Sequence, residues 1–207
     1  MKPRLVVLGS SGHAKAVIDV IEEQGEYGIA GCTSPDPAGE GVLGYRVLGT
    51  DDQLAELRRS GIRHAVVAIG DNRRRKLAAG AAIAAGLELV SAVSPAARVS
   101  RHASLGKGVV IMPGAIVCAG SSILDGVILN TGASVDHDCV IREFAHVGPG
   151  ANLAGWVEVG EGAFLGIGAK VIPNRRIGAY AVVGAGAVVI RDVAGAQTVV
   201  GVPACPK

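Results

Sequence analysis

Residues 105–147 read LGKGVV-IMPGAI-VCAGSS-ILDGVI-LNTGAS-VDHDCV-IREFAH-V when the stretch is divided into groups of six. Every group begins with Leu, Ile or Val, and the same spacing extends without a break from Val93 to Val189, through 17 groups. Four positions after each of these aliphatics comes a small or β-branched residue, with Arg175 as the clear exception. A fixed period of this length predicts a solenoid, in which each group supplies a short strand and a turn and three groups complete one coil.

The composition agrees with a narrow solenoid and excludes several classes of partner. Hydrophobic residues make up 49% of the chain but aromatic residues only 3%. Stacked Val, Ile, Leu and Ala can fill a narrow coil, whereas a wide globular core uses large aromatic side chains. The net charge is only +2, and no basic tract indicates a nucleic acid or an anionic membrane as partner. We interpret the run Arg73-Arg74-Arg75-Lys76 as the solvated start of a helix.

Sorting signals and cysteine usage suggest where the protein works. No signal peptide and no apolar run of membrane-spanning length are found. The four cysteines are scattered, without a C-x-x-C pair, which is typical of a reducing compartment. We therefore expect a cytoplasmic protein.

The residues before the repeats, 1–92, follow a different pattern. The apolar run 4–8 predicts a buried strand, Gly9-Ser-Ser-Gly-His13 a tight turn, and 14–24 a helix. Further strands are predicted at 27–32, 45–48, 64–69 and 87–92, and further helices at 50–59 and 73–85. This alternation predicts a small parallel α/β domain.

Three loops of this α/β domain are expected to form a ligand site. They follow Leu8, Cys32 and Ile69, so they lie at the carboxyl ends of parallel strands, where open α/β sheets bind their ligands. The loop from Gly9 to Gly12 precedes a helix whose unpaired N–H groups could hold an anion. A complete G-x-G-x-x-G is absent, so this loop is either a plain turn or a phosphate- and ribose-binding loop.

Five short motifs, taken with the repeats, resemble one enzyme family. The motifs are Gly9-Ser-Ser-Gly-His13, Ala68-Ile-Gly-Asp-Asn72, Asn130-Thr-Gly-Ala133, Asp136-His-Asp-Cys139 and Gly201-Val-Pro-Ala204. They are similar to those of the hexapeptide-repeat acyltransferases, in the branch of sialic-acid O-acetyltransferases and nucleotide-aminosugar N-acetyltransferases, and they resemble the perosamine and bacillosamine enzymes of that branch. The resemblance covers essentially the whole chain. It implies a Rossmann-like domain at 1–92, a left-handed parallel β-helix at 93–194 and a C-terminal tail at 195–207.

His137 is the main candidate for chemistry. The phase of the repeats places it outward near a corner of the coil, between Asp136 and Asp138. A carboxylate beside an imidazole stabilises the imidazolium and selects a tautomer, as a general base requires, although a surface histidine in a charged turn would look the same. The resemblance implies that His137 is the base and that Asp138 raises its basicity.

The resemblance also implies two sets of binding residues. Acetyl-CoA, the co-substrate, is expected at His146, Gly155, Ile167 and Ala185. The nucleotide sugar is expected at Ser11, Gly12, His13, Thr33, Ser34, Gly70 and Asn130. Relatives often carry two aspartates where this chain has Thr33-Ser34, and those aspartates would accept hydrogen bonds from the base or the ribose. Because they are absent here, both a UDP-linked and a GDP-linked sugar stay open. No metal is expected.

The expected activity is therefore direct N-acetylation of a nucleotide-linked amino sugar by a homotrimer with active sites between subunits. One alternative is O-acetylation of sialic acid or a related sugar. A second is a metal-dependent lyase on the same kind of coil, but zinc would need three histidines, and His137 and His146 stand nine residues apart with no third nearby. A third alternative is a solenoid that binds without catalysis.

Overall fold

A computed structural model describes residues 2–36 and 38–207. The chain forms two compact units, Met1–Ser94 and Pro95–Lys207. The first contains a parallel sheet with three helices, and the second contains stacked short strands.

The sheet of the first unit is Rossmann-like, with the strand order β3-β2-β1-β4-β5 and all neighbours parallel. Its strands are β1 (Arg4–Leu8), β2 (Gly28–Thr33), β3 (Val47–Gly49), β4 (His64–Val67) and β5 (Glu88–Leu89). A further two-residue strand, β6 (Ala92–Val93), ends the unit. The central strand β1 is fully buried from Leu5 to Leu8, as its apolar sequence predicts.

The helices are α1 (Gly12–Gln24), α2 (Leu54–Arg59) and α3 (Asn72–Ala84). Helix α1 begins two residues earlier than predicted, because Ser11 adopts the extended N-cap conformation and its carbonyl accepts a hydrogen bond from the Ala14 amide at 2.9 Å. The predicted helix at 50–59 starts with a 3₁₀ turn, Asp51–Gln53, in which Thr50 and Gln53 form a capping box.

The second unit is a three-sided parallel β-helix. Each coil contains 18 residues, as shown by the pairing of Ser134 with Asn152 and of Val135 with Leu153. Face one consists of β7 (Arg98–Val99), β10 (Ile116–Val117), β13 (Ser134–Val135), β16 (Asn152–Leu153), β19 (Lys170–Val171) and β22 (Val188–Val189). Face two consists of β8 (Ser104–Leu105), β11 (Ser122–Ile123), β14 (Val140–Ile141), β17 (Glu158–Val159) and β20 (Arg176–Ile177). Face three contains β9 (Val110–Ile111), β12 (Ile128–Leu129), β15 (His146–Val147), β18 (Phe164–Leu165), β21 (Val182–Val183), β23 (Thr198–Val200) and β24 (Cys205–Pro206).

The repeating aliphatics fill the interior of this coil. From Ile111 to Val189 each is buried, at 3% exposure or less, and each such burial contributes about 1.5–3 kcal/mol. Leu105 is 39% exposed, so the first coil is less well covered than the rest. The coil therefore holds its side chains in a fixed phase, and turn residues such as His137 project from its corners.

Candidate active site

His137 and Asp138 form a hydrogen-bonded pair at the corner between faces one and two. His137 Nδ1 lies 2.9 Å from Asp138 Oδ2, and both side chains are solvent-accessible, at 52% and 39% exposure. Because a carboxylate only accepts hydrogen bonds, Nδ1 carries a proton, and in the neutral form of the ring the lone pair is therefore on Nε2. This is the tautomer in which Nε2 can accept a proton from a substrate.

The backbone at Asp138 is held in a conformation that glycine usually provides. Its φ is +57°, in the left-handed region, where a non-glycine residue costs about 1 kcal/mol or more. The same turn position is glycine in several other coils, for example Gly120 and Gly132. Asp138 thus occupies a strained backbone position, and from there its carboxylate reaches the imidazole of the preceding residue, His137.

The turn that carries the pair is fixed by the coil preceding it. The Ser121 hydroxyl donates to the Asp136 carbonyl at 2.6 Å and accepts from the Cys139 amide at 3.1 Å. The Asp138 amide donates to the Ala119 carbonyl at 3.1 Å. Ser121 and Cys139 are both buried, so Ser121 satisfies the Cys139 amide away from water and also holds the Asp136 carbonyl.

Two glycines provide the space in which the pair lies. A Cβ added at Gly155 would stand 2.5 Å from both Cε1 and Nε2 of His137, so the imidazole lies directly over this glycine. A Cβ added at Gly120 would collide with Asp138 Oδ1. Gly155, predicted to bind the coenzyme, is thus also a direct neighbour of His137.

Grooves flank this corner on both sides. The groove on face one has a volume of about 670 Å³ and reaches Asp136, and the groove on face two, about 340 Å³, reaches Asp138 and Trp156. His137 stands between them in the chain and at the corner in space. Molecules on either face could therefore approach the imidazole.

His146 lies on face three, where it is 7% exposed and pairs with Asn130. The backbone amide of Thr131 donates to Asn130 Oδ1 at 2.8 Å, which orients the amide so that its NH₂ group points to His146 Nε2 at 3.1 Å. Because that NH₂ group can only donate, His146 Nε2 accepts, and its Nδ1 carries the proton. Phe164 packs edge-on against the ring, with centroids 5.2 Å apart.

The remaining coenzyme candidates lie away from His137. Ile167 and Ala185 occupy the corner between faces three and one in successive coils, linked where the Gly186 amide donates to the Ile167 carbonyl at 2.8 Å. Ile167 is 60% exposed. In a three-sided coil, the corner with His137 is opposite the face with His146. One chain therefore joins His137 to Gly155 but separates both from His146, Ile167 and Ala185.

The N-terminal candidates gather around a pocket of about 380 Å³ at the carboxyl ends of β1, β2 and β4. Ser11 and Thr33 line it, and Ser11 makes no capping hydrogen bond with its own side chain. Asp51, which the sequence analysis did not identify, also lines it and accepts a hydrogen bond from the Thr33 hydroxyl at 2.6 Å. The wall formed by α3 combines the cationic Arg74 with apolar Leu77, Ala78 and Ala81, and Leu77 is 75% exposed.

The other N-terminal candidates surround this pocket without being part of its lining. Gly12 begins α1 and His13 follows it, half-buried. Burial, with a smaller contribution from the charge of Arg75, lowers the pKa of His13 from 6.5 to about 4, so His13 is neutral at physiological pH. Ser34 is 8% exposed, and its hydroxyl accepts from the Asp36 amide at 3.2 Å.

Arg75 corrects our interpretation of the basic run as a solvated helix start. It is 1% exposed, and burial lowers its pKa to about 10, while Asp71 opposes this effect. Its Nη1 donates to the carbonyls of Ile69 and Gly70 at 3.2 and 3.1 Å. The predicted site residue Gly70 is thus held by Arg75 in the loop between β4 and α3.

Comparisons with known proteins identify the family. Residues 4–80 match the family model of the PglD N-terminal domain. The structure of PerB from Caulobacter crescentus, in complex with CoA and GDP-perosamine, is 47% identical, with a TM-score of 0.95, and the match covers 98% of this chain and 96% of that one. The chain belongs to the hexapeptide-repeat sugar N-acetyltransferases.

Two further structures are similar to this N-acetyltransferase over their full lengths. The acetyltransferase domain of PglB from Neisseria gonorrhoeae, in complex with acetyl coenzyme A, is 38% identical with a TM-score of 0.94, and both chains are covered completely. WeeI from Acinetobacter baumannii is 24% identical with a TM-score of 0.89, also with complete coverage, and it supports the fold alone. A comparison with curated protein sequences found no match.

The described parts of this N-acetyltransferase, residues 2–36 and 38–207, lack two kinds of feature. They contain no helix long and apolar enough to cross a bilayer. No group of three or more His, Cys, Asp or Glu side chains is arranged there to hold a metal ion.

Proposed function

We propose that this protein transfers the acetyl group of acetyl-CoA to the amine of a nucleotide-linked amino sugar. The observation that carries the proposal is the exposed His137–Asp138 pair, with Nδ1 and Oδ2 2.9 Å apart and Nε2 left to accept a proton. It is supported by the full-length likeness to an enzyme whose structure contains CoA and GDP-perosamine.

The transfer is direct. The sugar amine attacks the thioester carbonyl, a C–N bond forms, and the C–S bond breaks as CoA leaves as its thiol. His137 Nε2 takes the proton that the amine loses and passes it to the departing sulfur, while Asp138 accepts the Nδ1–H bond and stabilises the imidazolium. Backbone N–H groups stabilise the negative charge on the carbonyl oxygen of the tetrahedral intermediate.

The pocket of the first unit binds the nucleotide. The Gly9–Gly12 loop and the start of α1 offer N–H groups to the phosphates, and Ser11 and Thr33 line the adjoining space. Gly70, His13 and Ser34 shape the loops around it. A GDP- or UDP-linked sugar fits this pocket, with its phosphates at the N–H groups and its nucleoside in the adjoining space.

The coenzyme site is completed by a second copy of the chain. Because His137 and Gly155 lie opposite the face with His146, a neighbouring subunit must supply His146, Ile167 and Ala185. A closed ring of three identical chains gives every subunit the same two contacts, so we propose a homotrimer with three shared active sites. In each site, the Asn130-held His146 offers Nδ1–H to the acetyl carbonyl.

The likeness to the family also supports the finer description of the fold. We propose that the coil is left-handed, with a nucleotide-sugar domain at 1–92, an acyltransferase domain at 93–194 and a tail at 195–207.

The test is a screen of GDP-, UDP- and dTDP-linked amino sugars with acetyl-CoA, in which release of free thiol is followed. The His137→Ala variant should turn over at least about tenfold more slowly, with nucleotide-sugar affinity nearly unchanged, because a positioned base typically contributes about 10²–10⁴-fold. His102→Ala is the matched control, since His102 is exposed at the same corner.

Near-normal turnover in His137→Ala would contradict the general-base role. Thiol release with sialic acid, and none with any amino-sugar nucleotide, would contradict N-acetylation and favour transfer to a hydroxyl.

A further inference from the structure

Asp51 places a carboxylate beside the end of β2, where β2 itself has none. The chain has Thr33-Ser34 at this point, and neither side chain is a carboxylate. The end of β3 lies alongside, because Thr33 is in register with Gly49 and the Ser34 amide donates to the Gly49 carbonyl at 3.0 Å. The residues after Gly49 therefore deliver Asp51 to the position where β2 ends.

The Asp51 carboxylate is held firmly at this position. Thr33, 1% exposed, donates its hydroxyl hydrogen bond to Asp51 Oδ1 at 2.6 Å. The capping box of Thr50 and Gln53 fixes the backbone on either side, with Gln53 Oε1 accepting from the Thr50 amide at 3.1 Å. A carboxylate has about four lone-pair positions, so Asp51 can still accept further hydrogen bonds in the pocket.

The rest of the pocket suits a flat, largely apolar ring. Ile69 and Pro35 line it together with the α3 residues Leu77, Ala78 and Ala81, and Arg74 of α3 adds one cationic side chain to the lining. Leu77 is 75% exposed in the free protein, and a planar ligand would cover it. A purine placed on this wall can present its polar edge to Asp51.

The donor pattern of the bases then decides which nucleotide fits. Guanine presents two adjacent donors, N1–H and N2–H, which match a carboxylate that only accepts. Uracil presents a single N–H between two carbonyl oxygens, and these would face the negative charge. We propose that Asp51, oriented by Thr33, recognises the N1–H and N2–H edge of guanine and makes this enzyme selective for GDP-linked sugars. The inference rests on the proposed function, because it takes this pocket as the nucleotide site.

Calorimetric titration of the full-length protein with GDP, IDP, 2′-deoxy-GDP and UDP tests this assignment. IDP differs from GDP only in lacking the 2-amino group. The wild-type protein should bind GDP about tenfold or more tightly than IDP or UDP, since a site built around a donor rejects the analogue that lacks it. 2′-Deoxy-GDP should bind as GDP does.

The variant Asp51→Asn should reduce the preference for GDP over IDP to within about twofold. Asp52→Asn is the matched control, since this neighbouring carboxylate is exposed and does not line the pocket, and it should keep the wild-type preference. The wild-type ratios are informative even if Asp51→Asn does not fold.

The inference would be overturned if the wild-type protein bound GDP and UDP equally well, did not bind GDP, or kept its preference for GDP over IDP in Asp51→Asn. It would also be overturned if the wild-type protein bound 2′-deoxy-GDP more weakly than GDP but bound IDP as tightly as GDP. That result would assign Asp51 to the ribose. Failure of the proposed function is separate. If GDP binding depends on Asp51 but no amino-sugar nucleotide gives thiol release, the proposed acetyl transfer is contradicted and the guanine assignment is not. If UDP-linked sugars give thiol release and Asp51→Asn does not change its rate, only the guanine assignment is contradicted.

Discussion

At the scale of single residues, the absence of a side chain at Gly155 makes room for the imidazole of His137, the proposed base. The imidazole of His137 occupies the volume that any side chain at position 155 would need, so Gly155 is required sterically although its own φ is ordinary. The nearby αL turn of Asp138 then places the carboxylate against Nδ1.

Gly155→Ala should therefore impair catalysis without unfolding the protein. The added Cβ would displace the His137 ring, and we expect kcat to fall about tenfold or more, because even small misplacement of a catalytic group is costly. Steady-state kinetics and a thermal melt measure the two effects. Gly28→Ala, at a position without a positive φ and with open space around the added Cβ, is the control. Unchanged kcat in Gly155→Ala would show that the ring tolerates the methyl group.

His13 should make the first unit sensitive to mild acid. Its pKa is lowered in the folded state to about 4, so the unfolded chain binds the proton first as pH falls below about 6.5. Stability is thus full above pH 6.5 and declines towards pH 4, by roughly 2 kcal/mol after screening by solvent. Urea denaturation followed by helical circular dichroism reports this, since α1, α2 and α3 all lie in this unit.

His13→Gln should flatten that pH dependence, whereas His102→Gln, at an exposed position, should leave it as in the wild type. Equal slopes for wild type and His13→Gln would remove His13 as the cause.

At the scale of elements, the turn Asp136–Cys139 depends on one hydroxyl from the preceding coil. Ser121→Ala would leave the buried Cys139 amide without its partner, which costs about 1–3 kcal/mol, and would also release the Asp136 carbonyl. We expect a lower melting temperature and a lower kcat together, with nucleotide affinity unchanged. Ser122→Ala, on the adjacent strand position, should affect the melting temperature little. A loss of stability without any loss of kcat would mean that the turn keeps its shape.

The same elements show what a sequence can reveal of this protein. The aliphatic period predicts the three-sided coil and the outward position of His137, because a regular repeat maps directly onto a regular structure. Ser121 was recognisable in principle, as a polar residue in the inward small column. The link between Thr33 and Asp51 was not, since they are 18 residues apart in a non-repeating segment and meet only through the β2–β3 register. Arg75 was misjudged because charge alone does not show whether a side chain is buried.

At the scale of the whole molecule, the separation of His137 from His146 predicts active sites that are shared between chains. His137→Ala and His146→Ala should each be nearly inactive alone. When the two variants are co-expressed, random assembly should restore about a quarter of wild-type activity, because one arrangement in four of neighbouring chains contains both intact histidines. Thiol release measures the activity, and gel filtration confirms assembly of each variant. No recovery in mixed assemblies would place both histidines in the site of a single chain.

The stacking of identical coils also has an evolutionary consequence. Coils of 18 residues follow one another at a strand spacing of about 4.8 Å, so whole coils change the length of the β-helix only in steps of this size. Duplication of one complete coil beyond Val189 would lengthen the grooves by one strand spacing and leave every neighbour of the turn Asp136–Cys139 in place. An insertion of any other length would rotate all later side chains about the axis. A lineage can therefore adjust the length of the proposed coenzyme groove in discrete steps, while the surroundings of His137 are inherited unchanged.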